Sequence, residues 1–171
     1  MDKCEYLNIG CGTVRITNHI NMDIEDSVLT QCDIVGSVLA IPFPNERFKG
    51  ATFAHVLEHL HKFKHHLAMR EIWRVLKPEG KVYIEVPDFE LAMRYYLENF
   101  QCRKDYWYHC IYGRDAYEGD THFSGVDEPY LADLLFGNGF QNLKWINMGQ
   151  DHALLAVVAE KGNDGYKGRL E

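Results

Sequence analysis

The chain has 171 residues, of which 46% are hydrophobic and 25% charged, with a formal net charge of −7. At about 100–200 residues per domain this is one domain, long enough to bury a core without disulfides or metal, and its composition is that of a globular protein rather than a disordered or collagenous one. The acidic balance argues against nucleic acid as the main partner, no apolar run approaches the roughly 20 residues that span a bilayer, and Met1–Glu5 lacks the basic and apolar stretches of a signal peptide.

Tyr6-Leu7-Asn8-Ile9 reads as a strand that Gly10-Cys11-Gly12 ends in a tight turn. A second short strand, His19–Asp23, finishes in a carboxylate, and Asp33-Ile34-Val35 forms a third. Ile41-Pro42-Phe43-Pro44 cannot be a central strand, because two prolines break the ladder. Ala51–Ala54 is the fourth strand. Apolar residues at Leu60, Phe63, Leu67, Ile72, Val75 and Leu76 predict a helix over Glu58–Leu76, ended by the turn Lys77-Pro78-Glu79-Gly80. Val82–Val86 is the fifth and strongest strand, stopped by Pro87, and Asp88 caps a second helix through Leu97. An irregular aromatic stretch runs to about Gly125. Asp127-Glu128-Pro129 opens a third helix that ends near Gly137-Asn138-Gly139. Leu143–Met148 and Ala153–Ala159 close the chain as strands.

Alternation of strands and helices predicts a mostly parallel α/β sheet. The last two strands are joined by Gly149–His152 alone, too short for a parallel crossover, so they form an antiparallel hairpin. A single domain over residues 1–161 is expected, with an aromatic-rich insertion at about 89–125. Residues 162–171 read as a flexible tail, and Leu170-Glu171 as a cloning scar. Five cysteines without a CxxC pair suggest reduced thiols and a cytoplasmic protein.

Ligands of open α/β sheets sit beyond the carboxyl ends of the strands. Glycines after the first strand let a ligand approach the backbone, although a GxG also occurs in plain turns. The third glycine of the dinucleotide fingerprint is replaced by Arg15. Asp23, at the end of the second strand, offers acceptor oxygens to two ribose hydroxyls, or else serves as a cap. Together these features favour a nucleoside-type ligand.

Leu7–Gly12, Asn21-Met22-Asp23, Ile41–Pro44, His55-Val56-Leu57-Glu58-His59, Arg74–Gly80 and Val86-Pro87-Asp88 occur in an order that resembles class I S-adenosylmethionine-dependent methyltransferases, most closely methyltransferase type 11. The resemblance covers about residues 5–160. It implies a Rossmann-like seven-stranded sheet of order 3-2-1-4-5-7-6 with an antiparallel last strand. It also implies S-adenosylmethionine as cofactor, bound by Gly10, Cys11, Gly12, Asp23, Ile24, Ser37, Val38 and His55. Gly10 and Gly12 would face the methionine portion, Asp23 the ribose and Ser37-Val38 the adenine. Three departures stand out: Ser37 replaces an acid, Lys49 replaces an aspartate, and only residues 10–19 separate the first two strands. The first crossover helix is thus one or two turns long, or missing.

His55 and His59 follow the fourth strand at the mouth and are candidate general bases, with His122 a third. Glu58 and His59 could instead merely cap and start the helix. His61 and His65, four apart, share a face of the predicted helix, but with no third ligand at fixed spacing no metal site is expected. The aromatic stretch, which includes Tyr95, Trp107, Tyr108, Tyr112, Tyr117 and Phe123, suits an acceptor-binding lid, a small auxiliary core or a dimer surface.

The reading that follows is methyl transfer to an oxygen or nitrogen of a small-molecule or saccharide-type acceptor, with no nucleic-acid or membrane partner. The alternative is a non-catalytic nucleoside-binding or interaction module that keeps the fold. A nicotinamide dehydrogenase comes third, for want of the third glycine and of room for a phosphate-binding helix.

Overall fold

A computed structural model describes residues 4–25, 32–114, 116, 119–149 and 151–163. Seven strands form one sheet: β1 (Tyr6–Ile9), β2 (Ile20–Asp23), β3 (Ile34–Val35), β4 (Phe48–Ala54), β5 (Leu76–Pro87), β6 (Phe140–Ile146) and β7 (Leu154–Lys161). Their order is β3-β2-β1-β4-β5-β7-β6. All pairs are parallel except β5–β7 and β6–β7, which run antiparallel. This is the topology that the resemblance implies, and the terminal hairpin is the one its short link demands. Gln150 of that link, residues 164–171 of the expected tail and Tyr117 of the aromatic stretch lie outside the described residues.

The helices are α1 (His65–Val75), α2 (Phe89–Glu98), α3 (Lys104–Tyr112) and α4 (Glu128–Gly137). Ala68, Met69, Ile72 and Val75 form the buried stripe of α1, at the spacing a helix laid on a sheet requires. Asp88 caps α2 by accepting from Leu91 N at 3.0 Å, and Asp127 caps α4 by accepting from Tyr130 N at 2.9 Å. Each cap answers one of the N–H groups that a helix start leaves without an intrahelical partner. Arg74 of α1 binds Glu71 and donates to the carbonyls of Ile41 and Phe43, while Glu71 accepts from Ile41 N. This fork fastens the proline-rich segment that could not join the sheet.

Several element boundaries differ from expectation. The helix expected over Glu58–Leu76 is two one-turn 3₁₀ helices, Leu57–His59 and Lys62–Lys64, followed by α1. His61 therefore precedes the helix and shares no helical face with His65. Lys77–Gly80 is not a terminating turn. It lies within β5, where pairing with β4 slips between Phe48 and Gly50 and Glu79 takes a positive φ of 61°. The stretch expected to be irregular contains α3, which packs against α2 through a small core of Ala92, Tyr95, Trp107 and Ala153. β6 begins at Phe140 and ends at Ile146, earlier than expected, because its pairing with β7 sets the register.

No helix forms between β1 and β2. Instead Asn8 Nδ2 donates to Val14 O at 2.9 Å and to Asn21 Oδ1 at 3.0 Å, and Ile16 N donates to Asn21 Oδ1 at 2.8 Å. Asp33 Oδ2 accepts from Asn21 N at 2.8 Å, and Asp33 Oδ1 accepts from Arg15 at 2.5 Å. The Arg15 guanidinium, with help from the Asn21 N–H, holds the Asp33 carboxyl down at about 2. Side-chain amides and one ion pair thus do the work of a crossover helix. Among the described residues no helix is long and apolar enough to cross a membrane.

Candidate functional site

On the β1–β2 side, the carboxyl edge is built largely from backbone. Gly10 has φ +66°, and a Cβ there would lie 2.3 Å from Val56 Cγ2, so only glycine lets the end of β1 lie against the turn after β4. Gly12, at φ +49°, faces open space. Between them Cys11 is buried, its backbone N–H on Met22 O at 3.0 Å, and burial pushes its thiol up to about 11. Asp23 Oδ2 accepts from Gly12 N at 2.7 Å and Oδ1 from Ile24 N at 2.8 Å. Those bonds aim the carboxylate and leave each oxygen with further accepting capacity. The Ile24 side chain is exposed. Ser37 Oγ accepts from Leu39 N at 3.2 Å, whereas the Val38 side chain is buried in the main core. Lys49 lies near the start of β4 and pairs with Glu5 at 2.6 Å, at the opposite edge of the sheet.

The β4 side is built from titratable side chains. His55 takes a positive φ of 54°, and its N–H donates to Glu85 O at 2.9 Å. Its Nδ1 lies 3.3 Å from Glu58 Oε1 and its Nε2 lies 2.9 Å from Glu85 Oε1. Glu58 above all, and then Glu85, raise its pKa against the opposing effect of burial. Tyr83, two residues before Glu85 on the same face of β5, donates its hydroxyl to Glu85 Oε2. Glu58 itself is buried, and its Oε2 has no hydrogen-bond partner.

His122 reaches this side because the chain segment that carries it is stitched to the turn after β4. Phe123 N donates to Glu58 O at 2.9 Å, and Ser124 Oγ donates to Leu60 O at 3.1 Å. Gly113, at φ +82°, makes the return possible, since a Cβ there would meet Asp120 O at 2.0 Å. The rings of His59 and His122 meet edge to face with centroids 4.9 Å apart. His59 Nδ1 lies 3.1 Å from Thr121 O and His122 Nδ1 lies 3.2 Å from Cys110 O. Burial lowers the His122 pKa. One ligand-type atom from each of Glu58, His59 and His122 lies within 4.8 Å of the others. His65, by contrast, is a satisfied core residue: it is fully buried, with Nδ1 2.9 Å from Tyr130 Oη and Nε2 3.1 Å from Leu60 O.

The structure thus brings Gly10, Cys11, Gly12, Asp23 and Ile24 together on one side of the mouth and His55, His59 and His122 on the other. Val56, which touches Gly10, joins the two. Sequence reasoning passed over Glu85 and gave Glu58 no more than a capping role. A carboxylate just before the Pro87 end of an apolar strand was the available signal for Glu85, and the His-x-x-Glu-His spacing was the signal for Glu58.

This sheet order and carboxyl-edge mouth define the class I methyltransferase fold. Residues 7–84 match the family model described as a methyltransferase domain. Solved structures with the same fold include a SAM-dependent methyltransferase from Methanosarcina mazei, at 18% identity and TM-score 0.65, covering 95% of this chain and 94% of that one. A second is the 1,6-didemethyltoxoflavin-N1-methyltransferase of Burkholderia thailandensis, with bound 1,6-didemethyltoxoflavin and S-adenosylhomocysteine. It is 17% identical with TM-score 0.64, over 92% of this chain and 71% of that one. A third is a SAM-dependent methyltransferase of Archaeoglobus fulgidus, 17% identical with TM-score 0.63, over 94% of this chain and 87% of that one. No curated protein matches the sequence.

Proposed function

We propose that the chain transfers the sulfonium methyl group of S-adenosylmethionine to an oxygen or nitrogen of a small-molecule or saccharide-type acceptor. The observation that carries this reading is the Asp23 carboxylate, aimed by Gly12 N and Ile24 N beside the open turn at Gly12. Gly10 and Gly12 leave room for the methionine portion, and Asp23 accepts from the ribose hydroxyls. The Ser37 hydroxyl and the backbone at Val38 lie on the adenine side. In the transfer, an acceptor lone pair attacks the methyl carbon and the carbon–sulfur bond breaks. Its electron pair goes to sulfur to leave a neutral thioether, and the acceptor proton goes to water. Orientation supplies most of the catalysis in such an in-line displacement.

On this reading His55 is a positioning residue, because both its ring nitrogens are taken by carboxylates. His59 and His122 fall on the acceptor side. One observation favours the alternative of a non-catalytic nucleoside-binding module: residues 10–19 hold no helix whose N-terminus could favour a cofactor carboxylate. Calorimetry with S-adenosylmethionine, S-adenosylhomocysteine and NAD, followed by a methyl-transfer screen against a metabolite extract, tests the proposal. Binding of the first two and turnover in the screen are expected. Binding without turnover favours the module, and binding of NAD alone overturns both.

A further inference from the structure

Glu58 and His59 sit on the turn after β4, and His122 lies in the segment between α3 and α4, yet their ligand-type atoms converge within 4.8 Å. The surrounding hydrogen bonds fix what each group presents. A backbone carbonyl only accepts, so His59 Nδ1 against Thr121 O and His122 Nδ1 against Cys110 O must both be the protonated nitrogens. That tautomer leaves Nε2 of each ring as the nitrogen with a lone pair to offer. The Glu58 side chain is only 3% exposed, and its Oε2 is buried without a donor. Leaving a buried carboxylate oxygen unanswered is costly, and the acceptors gathered here call for a cation.

We propose that Glu58, His59 and His122 hold a divalent transition-metal ion of the zinc class. Two imidazoles and one carboxylate are a zinc donor set that leaves a coordination position open. The support behind the ligands is also that of a metal site. Both imidazoles donate their second nitrogen to backbone carbonyls, and Glu58 Oε1 lies 3.3 Å from His55 Nδ1, which Glu85 braces in turn. The backbone bonds from Phe123 and Ser124 to Glu58 O build the site in advance of the ion. Resting on the methyl-transfer reading, the open position takes an oxygen of the acceptor. The contact between Gly10 and Val56 puts the ion on the same edge as the cofactor turn. His61 and His65 take no part in this site, whose third ligand arrives from more than 60 residues away along the chain, at His122.

Calorimetric titration of the chelator-washed full chain, free of any affinity tag, with Zn²⁺ is expected to show one ion per chain. Glu58→Gln, His59→Gln and His122→Gln should each weaken binding by roughly 100-fold or more, and His55→Gln by roughly 10-fold, as for loss of an outer supporting partner. A His61→Gln/His66→Gln variant should bind as the unmodified chain does. Co²⁺ should give the visible absorption of a four- or five-coordinate site. On the unmodified chain, Zn²⁺ should shift the ring resonances of His59 and His122 and leave those of His65 in place, which keeps the test independent of whether any variant folds. Absence of a site in the unmodified chain overturns the proposal, as does binding that survives Glu58→Gln and His122→Gln. In either case the acceptors are sharing a proton instead. S-adenosylmethionine affinity measured on the same samples separates failure of the metal site from failure of the methyl-transfer reading.

Discussion

The two halves of the mouth are made by different means. The β1–β2 half uses backbone N–H groups, two glycines at positive φ and one carboxylate, and its missing crossover helix is replaced by the Asn8–Asn21–Asp33–Arg15 network. The β4 half uses three imidazoles and two carboxylates, completed by a loop held over them by backbone hydrogen bonds. The first half is local: every group lies between Asn8 and Asp33. The second depends on the insertion, whose own small core is separate from the main one.

The largest expected effect comes from breaking the insertion. Trp107 is fully buried, with Nε1 donating to Phe100 O at 2.9 Å. Trp107→Ala should destabilise the α2–α3 core by about 3–5 kcal/mol. If the halves are independent, thermal melting should show the loss while S-adenosylmethionine affinity stays close to that of the unmodified chain. A parallel collapse of affinity would show the halves to be one unit.

Gly10→Ala attacks the joint between them. The strained φ and the 2.3 Å approach to Val56 Cγ2 should together cost about 2–3 kcal/mol in chemical denaturation. Adding Val56→Ala should recover the steric share and leave the share due to backbone strain. No recovery would mean that the two residues do not meet.

Asp23→Ala sharpens the account of the first half. Loss of charge-assisted bonds worth roughly 1.5–3 kcal/mol should weaken S-adenosylmethionine binding by about ten- to a hundredfold in calorimetry. Unchanged affinity would remove Asp23 from the ribose.

The smallest effect is a pH dependence. The folded Asp33 carboxyl sits at about 2, below its ordinary value near 3.8. Its stabilisation is therefore complete above the unfolded value and is lost as pH falls from about 4 through 2. Since the pair is partly exposed, about 1 kcal/mol remains after solvent screening. Asp33→Asn should flatten that part of the acid limb in denaturation curves. An unchanged limb would show that Arg15 does not hold the crossover.

Much of the fold is legible because its signals are local. Tyr6–Ile9 is stopped by glycine, Val82–Val86 by proline, and Asp88 and Asp127 stand where a helix start needs an acceptor. The short link before β7 forces the antiparallel hairpin whatever surrounds it. The helix expected from Glu58 failed for a nonlocal reason. The carbonyls of Glu58 and Leu60 accept from Phe123, Ser124 and the Ser124 hydroxyl, partners supplied by a distant segment, and this turn settles into 3₁₀ geometry instead of a continuous helix. α3 was missed because its aromatic residues have weak helix propensity, and its burial against α2 is a tertiary gain.

The sequence by itself determined most of the strands, the terminal hairpin, the glycine turn and the carboxylate at the end of β2, since each follows from steric and hydrogen-bonding rules that act within a few residues, while the strand order came from the family resemblance. Only the tertiary structure decided which histidines matter. His65 is absorbed into the core, His55 is held between two carboxylates, and His59 and His122 are brought edge to edge beside Glu58. The role of an imidazole depends on what faces its two nitrogens, and in this protein those partners come from segments as far apart as Glu58, Glu85 and Thr121.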